Sequence, residues 1–167
     1  MSEMDHVSPD IIENNIDQKH IFSYHETNKG SRSNSNFSIL IVDDDTDILE
    51  CYRLLFEYEG YRIETVSTPN EAIRKAEETR FNLAILDYTL PYMRGDELAL
   101  RLLKTNGSMK LVFISGYNEA ETSIMNKGLD IRFFMKPVDP DCLLGAARSV
   151  LNGGELISVN ASTVQMA

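Results

Sequence analysis

The sequence predicts an α/β fold: a (βα)5 doubly wound arrangement, five parallel strands in one sheet with helices on both faces. Two observations carry this. Apolar, β-rich runs at 38–43, 61–66, 82–86, 110–114 and 131–135 alternate strictly with segments of helical periodicity, and such alternation means a parallel sheet covered by crossover helices. The first, third and fourth runs are almost purely apolar, as strands buried on both faces must be. The crossovers are expected to be right-handed.

Each element has its own local reasons. The first strand, SILIVD at 38–43, ends in a run of acids. Asp45 or Thr46 can cap the helix that follows, and Ile48, Cys51, Tyr52 and Leu55 fall at i, i+3, i+4 and i+7 on one face of it. Gly60 ends that helix before the second strand at 61–66. Pro69 stands where the second helix should begin, the position proline prefers. The third strand, 82–86, runs into YTLPYMRG, a proline loop, and the fourth, 110–114, stops at Ser115-Gly116. After the fifth, 131–135, the last helix shows Leu143, Ala146, Ala147, Val150 and Leu151 at helical spacing and closes at Gly153-Gly154.

Outside this core the composition changes. Residues 1–36 are rich in Asn, Ser, Asp and Glu, with KGSRSNSN at 29–36, and read as a mostly disordered polar tail. It serves as solvated linker or as a docking segment for a partner. The folded unit is expected over 37–152, with 153–167 a short flexible tail. All three histidines (His6, His20, His25) lie in the first tail at spacings that fit no metal-ligand motif. The formal charge is −10 with no basic stripe, which argues against direct nucleic-acid contact. No apolar run approaches a bilayer span, and MSEMDHVSPD has no secretory h-region. A cytoplasmic protein without membrane contact is expected. Cys51 and Cys142 fall in predicted helices, and the simplest reading is two buried small apolar side chains. The Asn-x-Ser triplets at Asn36, Asn106 and Asn160 carry no glycosylation meaning in that setting.

The chemistry lies where the apolar runs stop. Asp43 and Asp44 end the first, Asp87 the third, Ser115 the fourth and Lys136 the fifth. Ligand sites of open α/β sheets lie at the carboxyl ends of the strands, so three carboxylates, a hydroxyl and a lysine would gather in one place. Adjacent acids such as Asp43 and Asp44 are costly unless neutralised, and Mg2+ held by carboxylates and water would do so. Equally, Asp43, Asp44, Asp45 and Asp47 could simply favour a helix N-terminus. A Ca2+ loop is excluded, since Ile48 and Leu54 occupy the places of its glycine and glutamate. A carboxylate directly after a buried strand, as Asp87 is, can attack phosphorus, or it can be a turn residue before a proline loop. Lys136 can pair with such a carboxylate and with phosphoryl oxygens.

Together, ILIVDDD, LDYTLPYMRGDEL, VFISGY and MKP make the chain resemble the receiver domain of two-component response regulators, over about 38–152. The resemblance implies a flavodoxin-like sheet of strand order 2-1-3-4-5. Asp87 then matches the phosphoacceptor. Asp43 and Asp44 match the acidic pair, Asp44 as direct Mg2+ ligand and Asp43 mainly through water, with Asp87 and the backbone carbonyl of Thr89 completing the protein's share. Ser115 matches the hydroxyl position, Lys136 the lysine, and its bond to Pro137 is expected to be cis. Phe133 occupies the aromatic switch position, where many relatives carry Tyr, and Thr89 and Tyr117 occupy the two positions that modulate hydrolysis. The donor implied is a sensor histidine kinase or a histidine phosphotransfer protein. The output implied is a change of the surface over 117–151 (the fourth connecting helix, fifth strand and last helix) read by an unknown target, with a phosphorylation-dependent dimer as one form. No effector domain is apparent, so a stand-alone regulator is expected, assisting only its own phosphorylation and dephosphorylation.

Two rivals share these features. A haloacid-dehalogenase-type phosphatase also uses an Asp nucleophile, a lysine and Mg2+, but Asp47 stands where its Asp-x-Asp-x-Thr/Val signature needs Thr or Val. A degenerate receiver, a binding module that takes no phosphate, would be expected to lack at least one of the five site groups.

Overall fold

The computed structural model describes residues 34, 36–116 and 131–153. The expectations placed on 1–33, on 117–130 (Tyr117 and the fourth connecting helix among them) and on 154–167 lie outside the described residues. So do the three histidines.

The described chain runs β1 (Ser38–Val42), α1 (Thr46–Tyr58), β2 (Arg62–Val66), α2 (Pro69–Glu78), β3 (Leu83–Asp87), α3 (Gly95–Thr105), β4 (Lys110–Ser115), β5 (Ile131–Met135) and α4 (Pro140–Leu151). All strand pairs are parallel, in the order β2-β1-β3-β4-β5. The chain thus winds outward from β1 in both directions. β1 and β3 sit side by side while their crossovers leave to opposite sides, which opens a crevice at their carboxyl ends.

Strand alternation sorts the core into two layers. Leu40, Val42, Ala84, Leu86, Leu111 and Phe113 face one side and pack against Ala72 and Ala76 of α2 and Leu98, Ala99 and Leu102 of α3. Ile39, Ile41, Leu83, Ile85, Val112 and Ile114 face the other, against Leu49, Leu55 and Phe56 of α1 and Leu143, Leu144, Ala147 and Val150 of α4. Buried side chains of this size each contribute about 1.5–3 kcal/mol. β1 and β3 are buried throughout, while the edge strands β2 and β5 are mostly half-exposed.

The helix ends follow the local chemistry. Asp45 caps α1, its carboxylate accepting from the N–H groups of Asp47 and Ile48. Thr68 caps α2 with Pro69 at the first position, and Asp139 caps α4. Gly60 and Gly153 adopt φ of +84° and +78° after α1 and α4, a left-handed conformation that a side chain would strain. Asn34 donates from its side chain to the carbonyl of Glu59, and the Arg148 guanidinium pairs with the Glu59 carboxylate, so the end of α1 is held from both sides. Asn106 is buried, donating to the Phe81 carbonyl and accepting from Ser108; its Asn-x-Ser triplet belongs to a structural turn.

Two expectations are corrected. The buried face of α1 keeps Leu55 of the expected stripe, with Tyr52 packed against the same cluster, and adds Leu49 and Phe56, while Ile48 and Cys51 are only half-buried. A helix as apolar as ILECYRLLFEY offers two adjacent stripes, and the sheet beneath selects between them. Cys142 is exposed and Cys51 half-buried, so neither is a core residue. Cys142 lies in the first turn of α4, where its backbone N–H donates to Asp139 Oδ1.

Candidate functional site at the carboxyl ends of β1, β3 and β5

Every strand-end group named from the sequence lies at one edge of the sheet. Asp43 directly follows β1, Asp87 ends β3, Ser115 ends β4 and Lys136 directly follows β5. The parallel register aligns them: Val42 pairs with Leu86, Asp87 with Ile114 and Ser115 with Met135. The backbone N–H of Lys136 donates to the Ser115 carbonyl at 2.8 Å, which extends the β4–β5 ladder by one step and fixes where the lysine leaves the sheet.

The lysine bridges two acids far apart in sequence. Its Nζ lies 2.8 Å from Asp43 Oδ2 and 2.7 Å from Asp87 Oδ2. Both carboxylates are buried, at 2% and 6% exposure, whereas Asp44 is exposed. The second oxygens are held by backbone: Asp43 Oδ1 accepts from Asp45 N–H at 3.0 Å, and Asp87 Oδ1 from Thr89 N–H at 3.0 Å. Burial pushes the Asp43 carboxyl above its usual range, against the pull of Lys136 and the Asp45 N–H. Burial alone would lower Lys136, but its two carboxylate partners outweigh that and hold the ammonium above its ordinary value.

Asp43, Asp44 and Asp87 each present an oxygen within 4.8 Å of the others'. Three carboxylates against one ammonium leave a formal pocket charge of −2 (three negative, one positive). Hard oxygens at this spacing, with two uncompensated charges, suit a divalent cation of the Mg2+ type. Ser115 is fully buried beside this pocket, and Thr89 is exposed at its rim. The Lys136–Pro137 peptide is cis. Phe133 pairs in register with Phe113 and is half-buried against the α2–α3 layer. Tyr117 is outside the described residues.

Several residues of the site's frame were not singled out from the sequence. Gly95, the first residue of α3, packs so closely that a Cβ there would meet the Asp87 carbonyl oxygen at 2.5 Å and Tyr88 Cα at 2.9 Å. A lone glycine opening an amphipathic helix was the available signal. Asp96 beside it is fully buried, paired with Arg94 at 3.0 Å, and the Arg94 guanidinium lies over the Tyr88 ring. Tyr52 of α1 is held up to about 12 by burial and then by the Asp43 charge, so it stays neutral beneath the site.

Comparison with known proteins agrees with this geometry. The family model for the response regulator receiver domain matches residues 39–148. The transcriptional regulatory protein YkoG of Bacillus subtilis is 34% identical over 68% of this chain and 50% of its own length. A receiver domain protein (CheY-like) from Methanospirillum hungatei superposes with a TM-score of 0.66 at 39% identity, covering 70% of this chain and 94% of that one. Response regulator TrrA of Thermotoga maritima, solved in complex with Mg2+-BeF, gives 0.62 at 26% identity over 68% and 98%. The chain spans between 27% and 52% of the length of the first curated relatives it matches. Among the described residues, no helix is long and apolar enough to cross a membrane.

Proposed function

From the premise that this chain belongs to the response regulator receiver family, we propose that it accepts a phosphoryl group on Asp87 from a phosphohistidine and signals through the resulting aspartyl phosphate. The observation that carries this reading is the pocket in which Lys136 bridges Asp43 and Asp87 beside Asp44. The donor is a sensor histidine kinase or a histidine phosphotransfer protein.

In the reaction an Asp87 carboxylate oxygen attacks phosphorus in line, the O–P bond forms and the N–P bond to the donor imidazole breaks, its electron pair staying on the nitrogen. Such transfer is mainly positioning and charge neutralisation. The Thr89 N–H and Lys136 hold the Asp87 carboxylate in place beforehand. Lys136 can exchange its Asp87 contact for a phosphoryl oxygen, and the Ser115 hydroxyl can donate to another. Asp44, Asp87 and the Thr89 carbonyl, with Asp43 beside them, would hold Mg2+, and the ion would supply charge neutralisation for the phosphoryl oxygens. The acidic triad Asp43, Asp44 and Asp87 supports a Mg2+ site here, as does the likeness to a Thermotoga response regulator solved with Mg2+-BeF.

The output follows from the same groups. Drawing Ser115 toward the phosphoryl group shifts the end of β4, and Phe133 on the neighbouring strand turns inward. The surface over 117–151 then changes for a partner protein, a local charge event biasing a two-state element. Thr89 and Tyr117 set the hydrolysis rate, with the Tyr117 ring obstructing the attacking water.

Intact mass after incubation with acetyl phosphate tests the reading. The expected result is a Mg2+-dependent gain of one phosphoryl group that Asp87→Asn abolishes. A gain that persists in Asp87→Asn would refute the assignment of Asp87.

A further inference from the structure

Between β3 and α3 the chain makes a short excursion, Tyr88 to Arg94, that leaves and returns to the same strand end. The Gly95 N–H donates to the Tyr88 carbonyl at 2.9 Å, and Gly95 itself abuts Asp87. Leu90 is buried, Tyr88 and Met93 pack against the α2–α3 layer, and Arg94 is tied to buried Asp96. This loop is therefore pinned on both sides of one residue. That residue, Tyr92, has φ of +68° and is fully exposed, at 102%.

Both properties run against local preference. A bulky side chain in the left-handed region is an outlier; Asn and Gly take that conformation far more readily. Full exposure means that no intramolecular packing of the ring offsets the strain. Strained positions that the fold holds in place concentrate where function uses them. A rigidly presented, solvent-exposed tyrosine is a low-entropy anchor for a protein partner.

The position identifies the partner. Asp87 is only 6% exposed, so a protein donor must bring its imidazole down into the mouth of the pocket and cover the rim, which includes this loop. A downstream target has no such obligation. Just after β1, at the same end of the sheet, stand the exposed acids Asp44 and Asp47. The complementary donor surface is a phosphohistidine flanked by an apolar recess and by Lys or Arg.

We propose that Tyr92 is a specificity-determining contact for the phosphodonor protein, its ring filling an apolar recess beside the donor's phosphohistidine. The inference rests on the function proposed above. It makes residue 92 a site where the chain holds local strain in exchange for discrimination among donors.

The test uses a panel of purified, autophosphorylated sensor-kinase cores, taking the one that labels the wild-type chain fastest. Tyr92→Ala and Tyr92→Asn should lose about tenfold or more in kcat/KM for that donor, chiefly through KM, while Tyr92→Phe stays within about threefold. Labelling by acetyl phosphate, too small to reach the loop, is the control and should change by less than about twofold. Tyr92→Asn should also raise the thermal midpoint by roughly 2 °C or more as strain is relieved. Unchanged transfer from the kinase core would overturn the inference. So would a defect confined to phosphorylation-dependent dimerisation, which would give the ring to a second copy of the chain. Failure of every core to label a wild-type chain that acetyl phosphate does label would overturn it as well. No labelling by acetyl phosphate or any core would instead remove the proposed function itself.

Discussion

Gly95→Ala puts one methyl group at the tightest point of the site's frame. The added Cβ would lie 2.5 Å from the Asp87 carbonyl oxygen, 2.9 Å from Tyr88 Cα and 3.2 Å from Phe113 Cε1. Two of the three obstacles are backbone and cannot rotate away. Reaching an ordinary contact requires the start of α3 and the end of β3 to separate by about 0.5–1 Å, and overpacking of this kind costs about 1–3 kcal/mol. For a domain of this size that lowers the thermal midpoint by about 2–10 °C. The displaced strand end is the one bearing Asp87, and misplacing a reacting group by 1 Å can cost about a hundredfold in rate. Labelling by acetyl phosphate should therefore slow by about ten- to a hundredfold at temperatures where the variant is fully folded. Gly145→Ala is the matched control, because a Cβ there meets nothing within 4 Å in the exposed side of α4. It should stabilise by about 0.5–1 kcal/mol, the ordinary gain of alanine over glycine in a helix. Thermal and urea unfolding of both variants check the first claim, and initial labelling rates the second. A Gly95→Ala variant as stable and as fast as wild type would refute the reasoning, since it would mean that α3 docks without needing that approach.

Three further outcomes are expected. Lys136→Met removes the cation that bridges Asp43 and Asp87 and should destabilise by about 3–5 kcal/mol at neutral pH, as breaking a buried pair does; Lys136→Met combined with Asp43→Asn should recover part of that loss in urea titrations, and a double variant no better than the single would count against charge as the cause. Mg2+ at ten times its dissociation constant should stabilise the wild type by about 1.4 kcal/mol through linkage, and Asp44→Ala should abolish most of the midpoint shift while Ca2+-free buffer leaves it intact. Tyr117→Ala should lose its phosphoryl group several-fold faster than wild type in a time course by intact mass, and an equal lifetime would remove the water-obstruction role proposed for that ring.

The parts of this protein that were legible in the sequence are those written in short-range pattern. Strand alternation, the cap Asp45, the helix start at Pro69 and the helix-ending glycines Gly60 and Gly153 are decided within a few residues, and the structure carries them where expected. The gathering of the strand-end groups was legible for the same reason: each polar residue ends an apolar run, and in a parallel sheet all such ends share one edge. The four motifs in order pointed to the family, which in turn implied the strand order.

What tertiary structure alone decided depends on packing between distant segments. That Leu49 and Phe56 join Leu55 on the buried face of α1, rather than Ile48 and Cys51, depends on how the helix is rotated over the sheet. That Lys136 holds both Asp43 and Asp87, 93 and 49 residues away, depends on β1, β3 and β5 ending at the same level. The closeness of Gly95 to Asp87 and the left-handed turn at Tyr92 depend on how α3 seats against β3 and β4. Local sequence fixes torsional preference and amphipathic period, while distances between segments arise only when the layers close and each backbone meets the next.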